Sequence, residues 1–158
     1  MAAGGDRLEI KSTAFQEGSE IPRQNTCEGR DVSPPLSWSR PPEGTRSQAL
    51  IMDDPDAPMG VFTHWVLFNI PPGLTSLREN LPKAGSIPAV GMQGTNDFGR
   101  PGYGGPCPPG GRPHHYRFII HALDATLSLA PGSSKEELVE AMAGHTLAMG
   151  HLVGTYER

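Results

Sequence analysis

Residues 99–116 read GRPGYGGPCPPGGRPHHY, and eleven of the eighteen are Gly or Pro. Each proline lacks a main-chain donor and fixes φ, and each glycine opens conformations closed to other residues. No helix or central strand can run through such a stretch, so it must be a loop. Regular structure can resume only at its end, where His114, His115 and Tyr116 stand. The same punctuation recurs along the chain, with 20 Gly and 17 Pro among 158 residues, about twice the ordinary share. Between the breaks the apolar residues gather in compact runs, ALIM at 49–52 and WVLFNI at 65–70. A folded, turn-rich domain is expected rather than a disordered chain.

The runs read mostly as strands. LEIKSTAF (8–15) alternates, LSW follows the loop CEGRDVSPP, and SQALIMD (47–53) is a buried strand bounded by turns. THWVLFNI (63–70) is the next strand, and IPPG ends it. Residues 71–98 are irregular. YRFIIHALD (116–124) carries apolar residues on both faces, which predicts cover on each side, and LVGTYER (152–158) is a closing strand. One helix is predicted over 133–144, because Ser133 and Ser134 each precede a glutamate by three residues, the capping-box spacing. HTLAM (145–149) is expected to begin a second helical turn. Many strands, Pro-rich turns and a late helix fit one β-sandwich domain over 1–158, with residues 1–7 as a flexible N-terminus.

The formal net charge is −4, and no Lys/Arg cluster is interleaved with aromatics, which argues against a nucleic-acid partner. The N-terminus MAAGGDRLEI lacks the apolar stretch of a secretory signal, and no apolar run approaches the ~20 residues that span a bilayer. A soluble, cytoplasmic protein is expected. The two cysteines, Cys27 and Cys107, lie eighty positions apart and belong to no CxxC pair. Free thiols in a reducing compartment are the preferred reading, with a bridge left to geometry.

If strands 47–53 and 63–70 pair antiparallel, Asp54 and Asp56 at the exit of one meet His64 at the entry of the other. The Gly/Pro loop can deliver His114 and Tyr116 to the same end. A carboxylate beside an imidazole favours its charged form, and imidazolium, phenol and glycine amides all donate hydrogen bonds. Together they suit an oxyanion such as phosphate, sulfate or carboxylate. Taken singly the pieces are bland: a histidine at a strand start is usually structural, and DPDAP alone is usually a turn. His121, His145 and His151 join no cluster and read as structural. Zinc or iron is a weaker reading of the same side chains, since no HxH or HExxH spacing occurs, and no GxSxG supports serine hydrolysis.

DDPDAPMGVFTHWVLFNIP, GTNDFGRPGYGGPCPPGGRPHHYRFIIHALD and GHTLAMGHLVGTYER, with the earlier CEGRDVSPPLSW, resemble the phosphatidylethanolamine-binding protein family. The nearer likeness is to its bacterial and archaeal Raf-kinase-inhibitor-like branch, from about Ile10 to Arg158. The resemblance implies a β-sandwich of two antiparallel sheets with peripheral helices and a small anion pocket at one end that accepts phosphate-type headgroups. Carried over by motif, the ligand-binding residues are Asp54, Asp56, His64, Gly105, Pro106, His114 and Tyr116. It also implies cis bonds near these loops, at Pro55 or Pro106, and a homodimer. His115 stands where relatives often carry Arg and is assigned no ligand.

The function expected is binding of a small anion, phosphate or a phosphate-ester headgroup, with no cofactor and no metal. A kinase or protease partner is the further role implied by the resemblance. The rival expectation is an enzyme that uses the Asp/His/Tyr set for acid/base chemistry on a small acidic metabolite. No activated nucleophile or cofactor motif accompanies that set.

Overall fold

The computed structural model describes residues 6–158. The strands, in chain order, are β1 (Asp6–Arg7), β2 (Ile10–Lys11), β3 (Leu36–Trp38), β4 (Ser47–Asp54), β5 (Phe62–Ile70), β6 (Ser76–Leu77), β7 (Ser86–Ile87), β8 (Gly91–Gln93), β9 (His114–Leu123) and β10 (Thr146–Tyr156). The helix α1 spans Lys135–Met142. Seven strands form one sheet in the order β1-β10-β9-β4-β5-β8-β7, and β2-β3-β6 form a second. All neighbours are antiparallel except β1, which runs parallel to β10. The expected β-sandwich of two antiparallel sheets is present, with the two-residue β1 added in parallel at one edge. Of the N-terminal stretch read as flexible, residues 1–5 lie outside the described residues, and Asp6–Arg7 are strand.

The main core lies between the sheets. Ile10, Leu36, Trp38 and Leu77 of the small sheet meet Leu50, Met52, Trp65 and Leu67 of the large one, with Phe118 and Ile120 of β9 beside them. On the far face, Ala49, Ile51, Val66 and Phe68 pack with Leu138 and Met142 of α1. Strands β4 and β5 are therefore covered on both sides, which is why their sequences are continuous apolar runs and not alternating ones. Burying each such side chain stabilises the fold by roughly 1.5–3 kcal/mol before chain entropy is counted.

The helix starts as its capping box dictates. Ser134 Oγ accepts the Glu137 amide at 3.1 Å, and the Glu137 carboxylate accepts the Ser134 amide at 2.8 Å. Ser133 instead donates its hydroxyl to the Ala130 carbonyl. The helical turn expected at 145–149 is strand from Thr146 on: the helix ends at Met142, Gly144 at φ 80° turns the chain, and it then pairs with β9. The single strand expected over 8–15 is also corrected. Leu8 donates to Met149 in the large sheet, whereas Glu9 accepts Ser39 beside the small one, so the segment changes sheets within two residues.

Two buried glutamines tie the Pro-rich loops to the core. Gln48 accepts the Trp38 indole N–H and donates to the carbonyls of Pro71 and Leu74. Gln93 accepts the Trp65 indole N–H and donates to Pro82 and Ala84. Each amide is thereby satisfied on both ends in a place where an unpaired polar group is costly.

Candidate functional site

β4 and β5 are antiparallel neighbours with Asp54 opposite Phe62, and β9 flanks β4 with Arg117 opposite Asp53. The pairing assumed from sequence is therefore present, and it brings Asp54, His64, His114 and Tyr116 to one end of the large sheet. They line a cavity of about 110 Å³. A larger hollow of about 820 Å³, between 40–45 and 72–75, has Arg40 and Glu43 as its only charged lining and gathers no such set.

Strand β4 stops where Pro55 removes a donor, and Asp54 Oδ1 accepts the Asp56 amide at 2.7 Å to close the turn. Asp54 Oδ2 lies 2.7 Å from His114 Nδ1, with the two side chains 5% and 3% exposed. Both carboxylate oxygens are thus engaged, and the carboxylate holds the His114 ring by Nδ1–H, leaving Nε2 for the cavity. Asp54 orients an imidazole, as expected.

His64 is held differently. Its Nδ1–H donates to the Gly104 carbonyl at 2.7 Å. The ring sits against Phe62, Phe98 and Tyr116, with centroids 4.8, 5.5 and 5.3 Å away. Burial pushes its pKa below the ordinary histidine value, against the opposing pull of the Gly104 carbonyl and the Asp54 and Asp97 carboxylates. The sequence-based expectation that an aspartate would hold this ring is corrected: its partner is a neutral carbonyl. The Tyr116 hydroxyl is buried with no hydrogen-bond partner. Burial first, then the charge and the nearby carboxylate of Asp54, push its pKa up, so it remains an O–H donor, with Asp54 within range but outside hydrogen-bond geometry. Gly154 lies opposite Tyr116 on β10, and a Cβ there would stand 2.7 Å from Ile21 Cγ1.

Three expected ligand residues lie elsewhere. Asp56 accepts both the amide and Nδ1–H of His115, at 2.8 and 2.7 Å, on the surface beside the cavity and not in its lining. The hydrogen bonds from His115 hold the Asp56 carboxyl below its usual range. The Gly105 amide is already spent on Asp31 Oδ1 at 2.7 Å. A side chain at Gly105 would strike the Asn25 carbonyl and Asp31, so the glycine serves loop packing. Pro106 offers only its carbonyl, which accepts the Cys27 amide. No cis peptide bond occurs among the described residues, so Pro55 and Pro106 are trans.

The Gly/Pro loop supplies one wall of the cavity, and the aromatic wall opposite is what the sequence reading missed. Phe62 and Phe98 form one side, at 4.8 Å between centroids, and Cys107, Pro108 and Pro109 the other. Phe62 could have been read from its place two residues before His64 on the same strand face. Phe98 carries no such signal. Its loop is set by Asn96, whose Oδ1 accepts the amides of Phe98 and Arg100.

Cys27 and Cys107 are joined in a disulfide, with Cα atoms 5.4 Å apart. This corrects the preferred reading of two free thiols. The packing of 103–106 onto 25–31 brings them together: Tyr103 donates to the Asn25 carbonyl, and Cys27 to Pro106. The eighty-residue spacing carried no sign of that contact. With the bond, the redox argument for a cytoplasmic location lapses. Among the described residues, no helix is long and apolar enough to cross a membrane, and no three His, Cys, Asp or Glu side chains are grouped to hold a metal ion.

The family model for phosphatidylethanolamine-binding protein matches residues 11–157. A UPF0098 protein of Methanothermobacter thermautotrophicus is 52% identical over 151 residues, covering 96% of this chain and 99% of that one. A candidate lipoprotein of Mycobacterium tuberculosis, LppC, is 41% identical over 157 residues, covering 99% and 75%. The crystal structure of Escherichia coli YbcL, described as a new member of the mammalian PEBP family, superposes with a TM-score of 0.89 at 34% identity, covering 96% and 99%. With its fold and nearly its whole length matched, this chain belongs to the phosphatidylethanolamine-binding protein family.

Proposed function

We propose that the protein is a binding protein whose pocket holds a small oxyanion of the phosphate or carboxylate class. One observation carries the reading: the Tyr116 hydroxyl is buried at the cavity without a partner. A buried donor left unpaired costs about 1–3 kcal/mol, and a ligand acceptor recovers it. His114 adds a second donor when its ring is charged, with Asp54 as its counter-charge. Phe62, Phe98 and the prolines line the cavity with apolar surface, and the lower local dielectric strengthens both contacts. Calorimetric titration with inorganic phosphate and phosphoethanolamine tests it. Saturable binding by the wild type, weakened about tenfold or more by Tyr116→Phe in a folded protein, supports the reading. A folded wild type that binds neither probe overturns it.

The Asp54–His114 pair favours a second reading. A carboxylate that fixes Nδ1–H and leaves Nε2 free is also the arrangement of a general base. That reading requires exchange of a carbon-bound proton of a small 2-oxo acid with solvent deuterium, lost in His114→Ala. Absence of exchange with substrate bound removes it.

A further inference from the structure

We propose that the Cys27–Cys107 bridge is a thiol–disulfide exchange site that controls the pocket: a dithiol reductant opens the bridge from the Cys27 side, frees the pocket wall and weakens anion binding. The inference rests on the oxyanion reading of the pocket and adds a chemical control to it.

The two halves of the bridge stand on unlike supports. Cys27 belongs to a loop that is pinned without it. Thr26, fully buried, donates its hydroxyl to the Arg23 carbonyl at 2.8 Å and accepts the Glu28 amide at 3.2 Å. The Gly29 amide donates to the Thr26 carbonyl, and the Asn25 side chain donates to Val32. The turn is tight enough that a Cβ at Gly29 would stand 2.3 Å from the Arg23 carbonyl oxygen. Cys107 opens a stretch of the opposite kind. Just before it the chain is fixed residue by residue, Gly104 donating to the His64 carbonyl and Gly105 to Asp31. From 107 to 113, among the described residues, no main-chain N–H donates a hydrogen bond. A side chain at Gly111 would meet nothing within 4 Å. The bridge thus ties a firm loop to a loose one.

The loose one is the pocket wall. Cys107, Pro108 and Pro109 line the cavity, which holds about 110 Å³. A binding site loses its geometry when its supports sit about 1 Å too loose. Freed at Cys107, the wall keeps the Arg158 guanidinium on the Pro108 carbonyl as its remaining hydrogen bond among the described residues.

The bridge is also within reach of solvent. Cys27 is exposed, whereas Cys107 is half-buried against the cavity. Access decides which sulfur a thiolate attacks, and exposed disulfides are the ones that exchange. A reductant thiolate attacks Sγ of Cys27, the bond between the two cysteine sulfurs breaks, and Cys107 leaves as a thiolate that takes a proton from water. The second thiolate of the reductant then attacks the reductant's own sulfur in the mixed disulfide and displaces Cys27, which is protonated in turn. Two electrons pass to the bridge, the protein gains two thiols, and the dithiol becomes a disulfide. The coupling runs both ways: if opening the bridge weakens binding, a bound anion makes the bridge harder to open by the same factor.

The whole protein is titrated calorimetrically with inorganic phosphate and phosphoethanolamine, oxidised and after reduction by dithiothreitol, with circular dichroism as the check on folding. Reduction is expected to weaken binding about fivefold or more, and reoxidation to restore it. Saturating phosphate should raise by the same factor the ratio of reduced to oxidised dithiothreitol that half-opens the bridge. Cys27→Ser/Cys107→Ser should bind like the reduced protein and ignore dithiothreitol. Equal affinity of oxidised and reduced protein overturns the inference and leaves the oxyanion reading intact. Binding of neither probe by folded, oxidised protein overturns the oxyanion reading and the inference with it. A last arm needs no anion. Glutathione added to the native protein should appear first on Cys27 by mass spectrometry, at a rate above that of global unfolding. A first adduct on Cys107, reduction only at the unfolding rate, or loss of the fold on reduction overturns the inference.

Discussion

Oδ2 of Asp54 and Nδ1 of His114 lie 2.7 Å apart, with both side chains almost wholly withdrawn from solvent. They come from the exit of β4 and the entry of β9, sixty residues apart in the chain. The strand pairing alone brings them together. Among the described residues Asp54 is the one carboxylate hydrogen-bonded to His114, and its other oxygen closes the DPDAP turn. One side chain thus joins the end of a strand, the shape of a loop and the orientation of a pocket histidine.

Removing either partner should therefore cost more than an ordinary surface pair. Breaking a buried, hydrogen-bonded pair from one side costs about 3–5 kcal/mol, because the partner stays behind uncompensated. Asp54→Ala is expected to lose that order of stability in urea unfolding. The double variant Asp54→Ala/His114→Ala should be less destabilised than the sum of the two single changes. Additive losses would show that the two groups contribute independently and would count against a coupled pair.

Much of this arrangement is legible in the sequence because it depends on near neighbours along the chain. DPDAP must turn, the runs on either side must be strands, and PHHY must open another, so Asp54, His64, His114 and Tyr116 could be gathered before any coordinates. What escaped depends on contacts between loops distant in sequence. The Gly105 amide points to Asp31, seventy-four residues away, and Cys107 meets Cys27 across eighty. Phe98 reaches the cavity from a loop that shares no periodicity with the strands. The 145–149 segment was misread for a different reason: its local pattern after a helix suits a helical turn, and pairing with β9 overrides it.

The disulfide should matter for the pocket wall as well as for the whole fold. Between residues 107 and 113 three positions are proline, and no main-chain N–H donates a hydrogen bond among the described residues. Apart from the bond to Cys27, the wall has the Arg158 guanidinium, which donates to the Pro108 carbonyl at 2.7 Å. In the chain-entropy picture, opening an eighty-residue loop lowers stability by up to about 4–5 kcal/mol. Reduction is expected to lower the urea midpoint and to speed exchange of the Cys27 and Gly105 amides, which donate to the Pro106 carbonyl and to Asp31 across the bridged contact, more than in β4 or β5. Unchanged exchange in those two amides would mean that Arg158 and the flanking prolines suffice to hold the wall.

Gln93 offers a test of how the loops beside the pocket are held. Its side chain serves the Trp65 indole and two loop carbonyls at once. Gln93→Leu keeps the volume but strands the buried Trp65 indole N–H and two part-buried loop carbonyls. The unpaired indole costs about 1–3 kcal/mol and the carbonyls, which water can reach, add less, so a loss of about 2–3 kcal/mol is expected, beyond a typical core substitution of similar size. A change under about 1 kcal/mol in urea unfolding would indicate that water or relaxed loops replace these bonds.

His121 sets the acid limb of stability. It lies in β9 opposite Met149 on one side and Ala49 on the other, and its Nδ1 is buried without a partner. Burial pushes its pKa down to about 4. In the unfolded chain a histidine titrates near 6.5. Above that pH both states are neutral and the group contributes nothing to the pH dependence. Between about 6.5 and 4 the unfolded state holds a proton that the native state does not, so stability falls as the pH falls. The slope is about 1.4 kcal/mol per pH unit for one such group, until native His121 itself protonates. His64, also depressed by burial, adds a loss of the same sign. Urea unfolding at pH 7.5 and pH 5, values chosen on either side of the free imidazole at roughly 6.5, should show the drop. His121→Leu should remove about one proton's worth of the slope and be more stable than wild type at the lower pH, since it removes an unpaired buried nitrogen. An unchanged slope in that variant would show that His121 is solvated in the native state.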